Sequence, residues 1–113
     1  MKRADGERLR DIQDAIATIR AHSSAGGDAR LRRDALLYNL VIIGEAVKRL
    51  DPETTVRHDE IPWKSVAGLR DLLTHEYFRI EMAEIEKIID RDLGPLEAAV
   101  KDLLRPRSDT SRS

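Results

Sequence analysis

One stretch of the chain gathers most of its chemically capable side chains: Gly68-Leu69-Arg70-Asp71-Leu72-Leu73-Thr74-His75-Glu76-Tyr77-Phe78. Arg, Asp, Thr, His, Glu and Tyr fall within eight residues, and three of the four aromatics, Trp63, Tyr77 and Phe78, lie in it or close by. On a helix Asp71 and His75 are four apart and share a face, so the carboxylate can hold the imidazole in one tautomer and raise its pKa. Arg70 and His75 flank a common edge, about 140° apart around the axis. His75 and Tyr77 point to nearly opposite sides if the helix continues. Either Tyr77 lies past the helix end, or the site is assembled from more than one chain.

This set suits cleavage of a phosphodiester. An imidazole moves protons near neutral pH, and a guanidinium holds a phosphate through a two-pronged fork. RNA brings its own nucleophile, the 2′-hydroxyl. The blander reading is a helix C-terminus with a capping His and ordinary surface pairs. A zinc-protease motif would need a second His where Arg79 stands, and no phosphate-binding Gly-rich loop is present. No metal and no cofactor are expected. His22 and His58 fall in loop-like contexts and read as exposed bystanders.

The elements that must position this segment are helical. Leu9, Ile12, Ile16 and Ile19 repeat at 3, 4, 3 and predict a helix over 5–22. Ser23, Ser24, Gly26 and Gly27 break it, and Asp28 is placed to cap the next helix, over 29–50. That helix carries two adjacent apolar stripes: Leu36, Leu40, Ile43, Val47 and Leu50, and beside it Leu37, Val41 and Gly44. The second stripe implies a central helix or contact with another subunit, and the latter is favoured. Residues 52–61 read as a short helical turn and a loop. Pro62 opens a helix reaching about His75. The last helix, 82–104, is expected to kink or split at Gly94-Pro95. The result is an all-α antiparallel bundle of four to five helices over residues 1–105, with a disordered tail over 106–113.

Composition agrees. The 113 residues suit one domain; 41% are apolar, 36% charged and 4% aromatic. Twenty Lys and Arg against 21 Asp and Glu exclude a nucleic-acid binder working by bulk charge. A local cationic site remains open, with Arg32, Arg33, Lys48, Arg49, Lys64, Arg70 and Arg79 as candidates, because the acid excess sits in 81–104. Zero Cys excludes thiolate chemistry. No membrane span or signal peptide is visible, so a soluble cytoplasmic protein is expected.

The pattern Arg70, four residues, His75, one residue, Tyr77 resembles the signature of the HepT-like ribonuclease toxins of the HEPN superfamily. Asn39 to Leu50 and Ile61 to Arg70 agree with that family in order and distance, and the resemblance runs from about Asp5 to Leu104. It implies a HEPN-like helical bundle, a homodimer, and a metal-independent RNase site at a dimer cleft. Arg70 and His75 take the catalytic roles, with Asp71 and Thr74 in support. Asp71 stands where the family often has Asn. Tyr77 takes the position at which an MNT-type nucleotidyltransferase antitoxin adds AMP and silences the toxin. Two other roles stay open: a non-catalytic HEPN binding subunit beside such a nucleotidyltransferase, and a degenerate toxin kept as a complex partner. Tyr77 is expected at an exposed helix exit with Phe78 anchoring the segment in the core. Trp63 reads as packing, and Glu45 as a partner for Arg70 or Arg49 or as plain surface.

Overall fold

The structure is a computed structural model, and it describes residues 1–24 and 26–106. The described residues form α1 (Arg3–Ser24), α2 (Ala29–Lys48), the short α3 (Pro52–Thr55) continuing into a 3-10 turn (Val56–His58), α4 (Trp63–Ala67), α5 (Leu69–Glu76) and α6 (Met82–Leu104). No strand occurs among them. The expected tail lies outside the described residues, apart from Pro106.

The α1 stripe is shut off from solvent: Leu9, Ile12 and Ile19 have no exposed surface and Ile16 almost none. It packs on α2, whose first turn is capped as its sequence predicts, the Asp28 carboxylate accepting the Arg30 N–H at 2.8 Å. The pair is antiparallel, because buried Asp5 at the start of α1 accepts the Asp51 N–H at 3.2 Å beyond the end of α2. Asp5 also accepts the Thr54 hydroxyl, which fixes α3 to the same end. Such core residues carry the stability: truncating a buried Leu such as Leu40 costs about 2–5 kcal/mol.

The second stripe of α2 is covered from within. Leu37 and Gly44 are buried and Val41 is half-buried, because α4 and α5 pack along this face. Gly44 permits the approach: a Cβ there would stand 2.8 Å from the Arg70 backbone nitrogen and 3.1 Å from the Val66 carbonyl. The inference from this stripe to a subunit interface is therefore corrected.

Three boundaries also differ from expectation. The helix expected from Pro62 to His75 is two helices. They meet at Gly68, which caps the end of α4 by donating to the Lys64 carbonyl and the start of α5 by accepting from Leu72, each at 3.0 Å. Pro62 stands just outside as the cap. Conversely, α6 is not split at Gly94-Pro95. Both residues are exposed, so the carbonyl that the proline ring leaves without a donor faces water. His22 lies in the last turn of α1 and is half-buried, not in a loop.

Candidate functional site

Helix α5 carries the motif, and two ion-pair and hydrogen-bond contacts fix it antiparallel on α2. At its start Arg70 Nε lies 3.1 Å from Glu45 Oε1, and Glu45 Oε2 in turn meets Arg49 at 3.3 Å. Just past its end the Tyr77 hydroxyl donates to Asp34 Oδ1 at 2.9 Å. Leu69 and Leu73, four apart, are the buried face. Arg70, Asp71, Thr74 and His75 are exposed.

The backbone of Tyr77 stays helical, at φ −48° and ψ −46°. Seven residues bring the chain back to within about 20° of its starting direction. Arg70 and Tyr77 therefore both reach α2, at opposite ends of α5, while His75 turns away. Arg70 and His75 share one helix without bonding to each other, about 7.5 Å apart along its axis.

The orientation of His75 differs in its cause from the expected one. Its Nδ1 lies 3.0 Å from the Asp71 backbone carbonyl, not from the carboxylate. A carbonyl only accepts, so Nδ1 is the donor, and Nε2 is left without a partner among the described residues. The Asp71 carboxylate lies instead 3.3 Å from Arg70. Thr74 donates to the Arg70 carbonyl at 2.6 Å, so it ties the helix to itself and its hydroxyl proton is engaged. Arg70 thus sits between two carboxylates while nearly half exposed. Exposed pairs of this kind are worth at most about 1 kcal/mol, so a phosphate can displace them.

Tyr77 and Phe78 exchange the places expected of them. The Tyr77 ring is half-buried against the core, whereas Phe78 is 94% exposed. Arg33 explains the arrangement. Its guanidinium donates to the Tyr77 carbonyl and, at 2.8 Å, to that of Ile80, and lies 5.5 Å from the centroid of the Tyr77 ring. The first is the carbonyl of the residue that caps α5, and the second belongs to the turn that follows. The hydrogen bond to Asp34, more than burial, holds the phenol above its usual range and keeps it protonated. Neither Arg33 nor Asp34 was singled out for these roles by spacing, since both act over more than forty residues of sequence.

His58, expected to be a bystander, is the best-held imidazole of the described residues. Nδ1 meets Glu60 Oε2 and Nε2 meets Asp102 Oδ2, each at 2.7 Å. The bonds to Glu60 and then Asp102 push its pKa up, and His58 holds both carboxyls below their usual range. The Trp63 indole donates to the His58 carbonyl at 2.8 Å, confirming Trp63 as packing at the start of the motif helices. This cluster staples the 56–61 segment to the end of α6. Among the described residues no group of three or more His, Asp or Glu is placed to hold a metal ion, and no helix is long and apolar enough to cross a membrane.

Comparison with known proteins follows the motif. The family model described as "Ribonuclease HepT-like" matches residues 6–103. A Thermococcus cleftensis protein named "Probable ribonuclease HepT" is 32% identical over 108 residues, covering 91% of this chain and 98% of that protein. A "Putative RNase" of Caldanaerobacter subterraneus is 44% identical over 71 residues, 63% of each chain. A Methanocaldococcus jannaschii protein named "Gamma-glutamylcyclotransferase and putative RNase" is 29% identical over 76 residues, 67% of this chain but only 34% of that protein. The matched region thus spans under two thirds of the latter two relatives. No solved structure matches.

Proposed function

The chain belongs to the HepT-like ribonuclease family, and on that premise we propose that it is an endoribonuclease whose Arg70 and His75 cleave RNA by transesterification. The observation that carries this reading is the His75 ring: Nδ1 is anchored on the carbonyl of its own helix, and the ring is exposed on the same short helix as an exposed Arg70. In the proposed step Nε2 takes the proton of an RNA 2′-hydroxyl, and that oxygen forms a bond to the adjacent phosphorus. The bond to the 5′-oxygen breaks, and the leaving oxygen takes a proton from the imidazolium. A cyclic phosphate and a 5′-hydroxyl result. The Arg70 fork moves from Glu45 and Asp71 onto the non-bridging oxygens, where charge builds up. The 2′-hydroxyl is the nucleophile, so the chemistry calls for no metal-activated water.

A homodimer belongs to the same proposal. Arg70 and His75 occupy an open helix surface, and neither lines the grooves of about 750 and 480 Å³ on this protomer. Exposed Tyr38 on α2 and Leu72 on α5 supply apolar surface for a second copy that would close a cleft over the motif. We assign Tyr77 as the acceptor of AMP from an MNT-type nucleotidyltransferase antitoxin. Its oxygen would bond to the α-phosphorus of ATP and pyrophosphate would leave, with Asp34 placed to receive the phenol proton. The bulk and charge added on the same helical face as Arg70, about 10 Å along the axis, would then oppose RNA phosphate.

The alternative, a non-catalytic binding subunit, draws support from the two carboxylates already on Arg70. Purified protein incubated with RNA in the presence of a chelator separates the readings. Cleavage that Arg70→Ala abolishes supports the enzyme; binding without cleavage supports the subunit. Tyr77→Phe should still cleave RNA and should gain no AMP mass from the nucleotidyltransferase. If that variant is still modified, the acceptor is another residue.

A further inference from the structure

We propose that the groove between the first turn of α2 and the 77–82 turn is a single-stranded RNA subsite, in which Phe78 stacks on a base and Arg30 and Arg79 hold flanking phosphates. The inference rests on the ribonuclease reading and extends it to a substrate-binding surface outside the motif. The groove has a volume of about 750 Å³ and is lined by Arg30, Arg32, Arg33, Tyr77, Phe78 and Arg79 among others.

Three features of this surface point to a nucleic-acid strand. First, Phe78 is a large apolar ring 94% exposed immediately beyond the motif helix. Its position is supported from behind. The Tyr77 ring lies 5.2 Å away at a tilt of 51°, and the Tyr77 backbone is clamped by Arg33. Such a ring offers a stacking face, which serves any base because every base has one. Second, the charge is local. The chain as a whole carries −1, yet four arginines converge here. Arg30 and Arg32 form no ion pair among the described residues, and Arg79 has only a 3.7 Å contact with Glu76. Of the opposing acids, Asp34 is engaged by Tyr77, and Glu81 stands at the rim of α6. Third, the groove adjoins the motif: Tyr77 lines it, and Phe78 follows His75 by only three residues, so one strand can meet both.

The test uses a short single-stranded 2′-O-methyl RNA, which cannot supply the nucleophile, read by fluorescence anisotropy, alongside steady-state cleavage of the unmodified RNA. Phe78→Ala is expected to weaken binding by about tenfold or more, in line with the worth of one base stack. The loss in cleavage should fall on KM rather than kcat, and Phe78→Tyr should restore it. Arg79→Ala should weaken all sequences alike and reduce the slope of log affinity against log salt by about one. Wild-type affinity in Phe78→Ala overturns the subsite and leaves the ribonuclease reading standing. So does a Phe78→Ala protein that changes oligomeric state while binding RNA normally, which would assign the ring to a protein contact. Binding that depends on Phe78 in a wild-type protein that cleaves nothing keeps the groove and overturns the ribonuclease reading.

Discussion

The two best-defined histidines of this chain are held in opposite ways. His58 is wedged between two carboxylates with both ring nitrogens occupied, and the indole of Trp63 bonds to its carbonyl. His75 is exposed, with one nitrogen on a carbonyl of its own helix and the other open. The first arrangement consumes the chemistry of the imidazole to join two segments. The second leaves it available. Sequence context pointed to His75 through its neighbours Arg70 and Tyr77, and it misjudged His58, because the partner that matters, Asp102, is 44 residues away.

The comparison breaks most directly if the roles are exchanged. His75→Ala should lower RNA cleavage by about 10²–10⁴-fold, the range for a lost general acid–base group, with circular dichroism unchanged. His58→Ala should lower thermal stability and keep cleavage. The next effect in size concerns the support of the motif helix. Gly44→Ala forces a methyl against the α5 backbone, and overpacking costs about 1–3 kcal/mol against roughly 1 kcal/mol gained in helix propensity. Denaturant unfolding should show net destabilisation, and cleavage should fall with it as Arg70 is displaced.

A smaller effect sharpens the account of His58 alone. Its pKa is raised by folding, so its contribution to stability is full below the ordinary histidine value and is lost as pH rises through the raised one. Asp102 and Glu60 are held below their ordinary values, so their share is lost as pH falls through those lowered values. The stability gap between wild type and His58→Gln should therefore be widest in mildly acid solution and close at alkaline pH. Thermal unfolding across that range reads it. Smallest is Glu45→Gln, which takes one charge from the Arg70 cluster. Stability should change by no more than about 0.5 kcal/mol, and RNA affinity should rise because Arg70 is less engaged.

What the sequence made legible is what acts locally. Asp28 caps α2 two residues away, the bounds of α6 follow from its apolar repeat although Gly94-Pro95 does not split it, and Arg70 to Glu76 lie on one helix because the 3.6-residue period carries them there. The site's fine structure acts across the fold. Asp34 reaches Tyr77, Arg33 closes the end of α5, and Gly44 admits the Arg70 backbone. No local period announces such contacts. The place of Phe78 is hidden for a related reason: a large apolar ring belongs in the core by type, and only the geometry of the turn after α5 shows Tyr77 taking that place. The second stripe of α2 shows in the sequence that a face is covered but not by what: α4 and α5 cover it within the same chain.

The central claim is that His75 and the RNA 2′-hydroxyl do the chemistry. It is tested most directly by incubating wild-type protein with an RNA cut at a mapped site, in chelator, beside the same RNA carrying a single 2′-deoxy substitution there. The account predicts cleavage of the first to a cyclic phosphate and a 5′-hydroxyl, none of the second, and none of either by His75→Ala. Cleavage at the deoxy position, or undiminished cleavage by His75→Ala, would contradict it.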